Sequence, residues 1–122
     1  MPDDIALTTL LTQLDSIAKA PMTVPERELR AKPLFAADLT PAEVARATAR
    51  ADLPWVAQKA QEHGVSVETW VQAAHVVDLP SSQSVAELLD RLHRAEAAAG
   101  MLKAGYTADK ASGSIVWSAG SG

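Results

Sequence analysis

The sequence predicts an all-α fold, a compact bundle of five to six short helices. Apolar residues recur at spacings of three and four along most of the chain, which places them on one face of a helix. Serine and threonine residues that can cap a helix stand before these segments, and prolines and glycines stand at their ends. Alanine fills 24 of the 122 positions while aromatic residues make up only 4%, so the helices are expected to pack closely.

Residues 1–20 are predicted to form an amphipathic N-terminal helix. Its apolar positions follow helical spacing: Leu7, Leu10, Leu11, Leu14 and Ile17. Asp3 and Asp4 stand near its start, where the helix dipole favours acidic side chains. We expect this helix either to fold back on the core or to present its apolar stripe to a second subunit or to a groove on a partner.

Residues 21–39 are predicted to be a proline-rich connection. Pro21, Pro25 and Pro33 interrupt the helical pattern, because proline lacks the N–H group that a helix interior requires. The stretch from Glu26 to Ala31 has room for one or two helical turns between these prolines.

Residues 40–105 are predicted to form the helical core, in four further helices. Thr40 and Ser84 are each followed by glutamate three residues later, the capping-box pattern that begins a helix. Ser66 is a third capping residue. Gly64 and Gly105 follow apolar helical segments and favour helix ends, because glycine readily adopts the left-handed backbone conformation there.

Residues 106–122 are predicted to be a C-terminal segment that packs on the core as a short helix or a tail. Thr107 can cap a short helix, whereas the residues from Ser114 to Trp117 have the composition of a strand. A single strand in a helical chain would need another molecule as its partner, so the short helix or tail is the prediction. In either form, Ile115 and Trp117 are expected to lie against the core.

The composition excludes several classes of protein. The chain contains no cysteine, which excludes disulfide scaffolds, thiol catalysis and thiolate metal sites. Its net charge of −4 is opposite to that of a basic nucleic-acid-binding domain. No apolar run approaches the ~20 residues of a membrane span. An acidic N-terminus and a bias toward alanine and arginine indicate a bacterial cytoplasmic protein.

The sequence offers no catalytic constellation, so we expect neither an enzyme nor a cofactor or metal site. His63, His75 and His93 do not form the His-x-x-x-His pair that would place two metal ligands on one helix face. The chain also lacks a Gly-x-Ser-x-Gly nucleophile elbow and a glycine-rich phosphate loop. The histidines are interpreted as solvated or hydrogen-bonded side chains.

One stretch resembles a DNA-binding motif. Ala60, Gly64, Val65 and Trp70 match the small, turn and apolar positions of the helix-turn-helix family, and the same stretch is similar to the two helices of ribbon-helix-helix repressors. The resemblance implies a DNA-binding regulator acting through residues 56–77. However, residues 51–80 contain a single lysine and four acidic residues, and phosphate binding requires positive charge. Nucleic acid is therefore the disfavoured partner.

The sequence favours a non-catalytic interaction protein, such as an adaptor, an accessory subunit or a small regulator of a protein assembly. Trp55 and Trp70 are interpreted as core anchors, whereas Trp117 near the chain end is a candidate interface residue. The predicted partner is another protein or a second copy of the chain. The predicted partner-binding residues are Leu7, Leu10, Leu14, Ile115 and Trp117. The alternatives are the DNA-binding regulator and a helical bundle that holds a small ligand between alanine-lined helices.

Overall fold

Six α-helices and a C-terminal pair of strands make up the part of the chain that the structure describes. The computed structural model describes the backbone of residues 4–35, 39–109 and 114–117, and the side chains up to Tyr106. In chain order the helices are α1 (Asp4–Lys19), α2 (Val24–Ala31), α3 (Pro41–Ala47), α4 (Pro54–His63), α5 (Val67–Val76) and α6 (Val85–Ala104). Single 3-10 turns cover Lys32–Leu34 and Leu79–Ser81, and the strands are β1 (Tyr106–Asp109) and β2 (Ser114–Trp117). The predicted all-α class is confirmed.

Four helices begin at a capping side chain, as their sequences require. The hydroxyl oxygens of Thr23, Thr40, Ser66 and Ser84 each accept a hydrogen bond from the backbone N–H three residues later. Such a bond satisfies one of the N–H groups that a helix leaves without an internal partner. These starts include both of the predicted capping boxes and the predicted cap at Ser66.

The core forms around α6, the longest helix, which packs against α1 and α5 and also against α2, α3 and α4. Leucines and alanines from all of these helices fill the interior, together with Trp55 and Trp70. The indole of Trp70 donates a hydrogen bond from Nε1 to the carbonyl oxygen of Thr48, at 3.0 Å. Because a buried indole N–H needs an acceptor, this bond fixes the orientation of the ring. The interpretation of Trp55 and Trp70 as core anchors is confirmed.

The predicted connection 21–39 contains a helix of its own. Helix α2 covers Val24–Ala31 and begins at the Thr23 cap, with Pro25 in its first turn. Proline is compatible with the first turn of a helix because the N–H group it lacks has no helical partner there. The prolines therefore set the ends of α2 and do not prevent it.

The C-terminal segment is a hairpin and not the predicted short helix or tail. Strands β1 and β2 run antiparallel, with Tyr106 opposite Trp117 and Asp109 opposite Ser114. Gly105 ends α6 with a φ of 114°, and the chain enters β1 directly after it. The segment Ser114–Trp117, which has the composition of a strand, thus pairs with β1 of the same chain. The sequence pattern of β1 favours a helix start.

Candidate functional site

A buried lysine lies within the helical core. Lys59 shares the inward face of α4 with Trp55 and Val56, at the three- and four-residue spacing that places side chains on one side of a helix. Only 1% of its surface is exposed. A buried ammonium group is costly unless opposite charges and hydrogen bonds surround it, so its partners define the site.

Two carboxylates from different helices bind this ammonium group. Lys59 Nζ donates a hydrogen bond to Asp15 Oδ2 of α1 at 2.8 Å and a shorter one to Glu96 Oε1 of α6. Lys19 Nζ lies 3.1 Å from each of the same two oxygens. Glu62 Oε2 lies 3.7 Å from Lys59 Nζ, on the solvent side. We call these residues the charged cluster: Asp15, Lys19, Lys59, Glu62 and Glu96.

Two tryptophan rings lie beside the ammonium group of Lys59. Lys59 Nζ lies 5.8 Å from the ring centroids of both Trp55 and Trp70, within the range of cation–π attraction. The two indoles meet edge to face with centroids 5.5 Å apart. His63 stacks on the indole of Trp70, with the two ring centroids 6.1 Å apart. The ammonium group is thus held between two carboxylates and two aromatic rings.

The two carboxyl groups differ in their affinity for protons. Burial raises the pKa of Glu96 above its ordinary value, and the hydrogen bond with Asp15 raises it further. Burial also acts to raise the pKa of Asp15, but hydrogen bonds with Glu96 and Lys59 outweigh it, so this pKa lies below its ordinary value. Neighbouring carboxyl groups separate in this way because the first proton bound relieves the repulsion between their charges.

Burial and the neighbouring charges also shift the pKa values of His63 and Lys19, at the rim of the charged cluster. Burial lowers the pKa of His63, and the positive charge of Lys59 lowers it further. Burial also acts to lower the pKa of Lys19, but its bonds to Asp15 and Glu96 outweigh this and raise it above the usual value. Asp15 Oδ1 and His63 Nε2 are buried without a hydrogen-bond partner among the described residues.

The charged cluster runs from the buried core to the protein surface. Asp15 and Lys59 are buried, and the solvent-exposed members are Lys19 and Glu62 at the rim. Within the described ranges, no group of three or more His, Asp or Glu side chains is arranged to hold a metal ion. The arrangement joins α1, α4 and α6 through ion pairs.

The structure places the predicted partner-binding leucines in the core. Leu7, Leu10 and Leu14 are each at most 4% exposed, which matches the alternative in which the N-terminal helix folds back. In this arrangement they do not form a free docking surface. Ile115 and Trp117 belong to β2, and their side chains lie outside the part of the chain whose side chains are described. The prediction that they contact a partner stays a prediction.

Sequence reasoning does not identify Asp15, Lys59 and Glu96 as a group. Each stands within an apolar helical pattern: Asp15 follows Leu14, Lys59 falls on the Trp55 face, and Glu96 follows Ala95. A charged residue at a core-facing position is the available signal. Lys59 also departs from the helix-turn-helix pattern, which has a buried apolar residue at that position, and the structure shows that the position is indeed buried.

The surface of residues 56–77 carries little positive charge. Gly64, with φ at 65°, joins α4 to α5, and Glu68, Gln72 and His75 are exposed on α5. Lys59, the only lysine or arginine in this segment, is buried in the charged cluster. A phosphate backbone would therefore meet no exposed lysine or arginine on these helices.

Two surface depressions bear on the small-ligand alternative. A cleft between α2 and α6, lined by Arg27, Leu89 and His93 among others, has a volume of about 70 Å³. Typical ligand pockets enclose about 300–1,000 Å³. A groove of about 410 Å³ beside Ser16, Ile17 and Arg30 is wide open to solvent. Neither depression reaches the charged cluster.

The chain matches no known protein family, no curated protein and no solved structure. Among the described residues, no helix combines the length and the apolar character that crossing a membrane requires.

Proposed function

We propose that the protein is a non-catalytic interaction protein of the bacterial cytoplasm, and that it binds an extended segment of a partner protein at the edge of its C-terminal hairpin. One observation carries the proposal: the described sheet consists of β1 and β2 alone. A strand with a neighbour on one side only has backbone N–H and C=O groups directed to its other side. Those groups can bind a further strand.

Strand β2 is the better of the two edges for such binding. Its residues, Ser114–Trp117, include no charged residue and no proline, the two kinds of residue that commonly block edge pairing. Strand β1 ends in Asp109 and packs against both α5 and α6. The proposed contact with the partner therefore lies at β2, which contains the predicted partner-binding residues Ile115 and Trp117, and not at the buried leucine stripe of α1.

Strand addition also suits the size of this hairpin. Each strand has four residues, and an isolated two-stranded hairpin is only marginally stable in water. A third strand supplies main-chain hydrogen bonds for affinity, and alternate side chains supply specificity. The helical core beneath the hairpin then acts as a rigid support.

Proline substitution tests this proposal with a matched pair of variants. Adjacent residues of an antiparallel strand direct their N–H groups to opposite sides. Each of the variants Ile115→Pro and Val116→Pro removes one backbone N–H. In one variant the lost N–H faces β1, and in the other it faces outward. Tagged full-length protein is used to capture partners from lysate of the native host, and circular dichroism verifies that each variant keeps its helices.

We expect both proline variants to lose a partner that the wild-type chain captures, while Ile115→Val and Val116→Thr keep it because they preserve the backbone donors. In the variant that loses the outward-facing N–H, the amides of the hairpin should stay protected from hydrogen exchange, because the hydrogen bonds between β1 and β2 remain. Capture that survives both prolines would contradict binding at the edge of β2.

A further inference from the structure

The charged cluster is the main polar connection between α1 and the rest of the core. Asp15 and Lys19 come from α1, Lys59 and Glu62 from α4, and Glu96 from α6. Apart from Asp15, the buried residues of α1 are apolar, and its start forms one further ion pair, between Asp4 and Arg50 at the surface. A change of charge in this cluster therefore changes how strongly α1 is held.

The carboxyl groups of Asp15 and Glu96 are forced close together. Asp15 Oδ2 and Glu96 Oε1 contact the same two ammonium groups, those of Lys19 and Lys59. With Glu62 included, three acidic side chains face two lysines. One added proton makes this set neutral, and the second oxygen of Asp15, Oδ1, is buried with no hydrogen-bond donor among the described residues.

We propose that the Asp15–Glu96 pair binds one proton between its two carboxyl groups, and that this proton strengthens the docking of α1 against α4 and α6. The charged cluster then works as a pH-sensitive clamp on the N-terminal helix. Mild acid stabilises the docked position of α1. Rising pH destabilises it, because the Asp15–Glu96 pair then carries a second negative charge in the interior.

The direction follows from the titration of Glu96. Its pKa is raised in the folded chain, so the folded state binds the proton more strongly than the unfolded state does, and the docked form gains stability as pH falls toward the ordinary value. The other titratable groups facing the pair are Lys19 on α1 and Lys59, Glu62 and His63 on α4. Of these, His63 has the opposite effect, because its lowered pKa makes acid unfavourable to the folded state.

The clamp controls access to an apolar surface. Opening of α1 exposes Leu7, Leu10 and Leu14 together with the face of α4 and α6 that they cover. This inference concerns α1 and does not depend on strand addition at β2.

Hydrogen exchange of the full-length chain tests the proposal, because it reports the opening of α1 separately from the opening of α6. Amide exchange in 4–19 is measured between pH 7.5 and pH 5 and corrected for the intrinsic exchange rate. Glu96→Gln removes the titrating group with little change in shape. Asp90→Asn is the matched control, since Asp90 is an exposed acidic residue of the same helix, paired with Arg94.

We expect protection of α1 to rise on acidification more in the wild type than in Glu96→Gln, because the variant lacks the carboxyl group that binds the proton. Asp90→Asn should behave like the wild type. The comparison cancels the contribution of His63, which all three chains share. An identical pH profile in wild type and Glu96→Gln would overturn the proposal.

A second measurement does not require a folded variant. Carbon-13 NMR of the side-chain carboxyl groups follows Asp15 and Glu96 directly in the wild-type chain. A shared proton predicts that both resonances shift in each of two separated steps. Two independent single-step titrations at ordinary carboxyl pKa values would also overturn the proposal.

Discussion

Lys59 links three helices of the interior through buried ion pairs. Removing its ammonium group leaves the buried Asp15 and the largely buried Glu96 with Lys19, which is exposed, as the remaining lysine of the charged cluster. Breaking a buried ion pair in this way destabilises a protein by about 3–5 kcal/mol. We therefore expect Lys59→Met to lower the free energy of unfolding by about that amount, although methionine matches the apolar part of the lysine side chain.

Urea denaturation measures this loss, with Arg94→Met as the control. Arg94 is exposed and pairs with Asp90 within α6, and such surface pairs contribute about 0.2–1 kcal/mol. Equal losses in the two variants would show that Lys59 is not held by the buried carboxylates.

His63 gives the molecule a second dependence on pH, with its own sign. Its pKa is lowered from 6.5 by burial and by Lys59, so the unfolded chain takes up the proton first as pH falls. Its contribution to stability is full above pH 6.5 and is lost as pH falls through the lowered value in the folded chain. We expect His63→Gln to remove this loss, and His93→Gln, at an exposed position of α6, to retain it, in urea titrations at a series of pH values.

The charged cluster shows why the site is harder to predict than the helices. The pattern around Trp55 and Val56 already places Lys59 on the inner face of α4. Its partners, however, lie 44 and 37 residues away along the chain. Helical spacing identifies which face a residue occupies, but it contains no information on which distant helix packs there. A charged residue in an apolar pattern is visible in sequence, whereas its counter-charge is not.

At the scale of single elements, a glycine at a helix end and a glycine inside a helix give opposite predictions. Gly64 ends α4 at a φ of 65°, and a Cβ atom there would lie 2.7 Å from Lys103 Nζ. The lysine side chain can move, so backbone strain dominates the cost. Gly64→Ala is expected to lower the free energy of unfolding by about 1–2 kcal/mol, the cost of a left-handed conformation for a residue with a Cβ atom.

Gly100→Ala should have the opposite effect. Gly100 lies inside α6, and a Cβ atom there meets nothing within 4 Å. Alanine is favoured over glycine in a helix interior by about 0.5–1 kcal/mol. Thermal unfolding of the two variants beside the wild type provides the comparison, and a gain in stability at Gly64 would contradict the role assigned to it.

Local signals also explain which elements are predictable. The Thr40 and Ser84 caps, the Gly64 and Gly105 ends and the apolar stripes between them are contained within a few residues, and these predictions hold. Helix α2 is harder to predict because Pro25 resembles an interruption, although proline is compatible with a first helical turn. The hairpin escapes prediction because β1 is polar and short, and its strand character comes from pairing with β2.

For the whole molecule, α1 and the C-terminal hairpin carry very different shares of the stability. The leucines of α1 are fully or almost fully buried: Leu7, Leu10, Leu11 and Leu14. Burying one such side chain contributes about 1.5–3 kcal/mol, so the four together are comparable with the net stability of a typical domain, about 5–15 kcal/mol. The hairpin, in contrast, follows the end of α6 and packs on α5 and α6 from outside.

Deleting either end of the chain separates these contributions. We expect the chain that lacks residues 1–20 to lose cooperative unfolding, because the apolar surfaces of α4 and α6 and the carboxylate of Glu96 lose their covering helix. The chain that ends at Gly105 should keep its helical circular dichroism and a cooperative thermal transition, and it should no longer capture the proposed partner. A folded, cooperative monomer without residues 1–20 would show that the leucine stripe is dispensable to the core and available to a partner. Loss of folding in the chain that ends at Gly105 would instead show that the hairpin is part of the core.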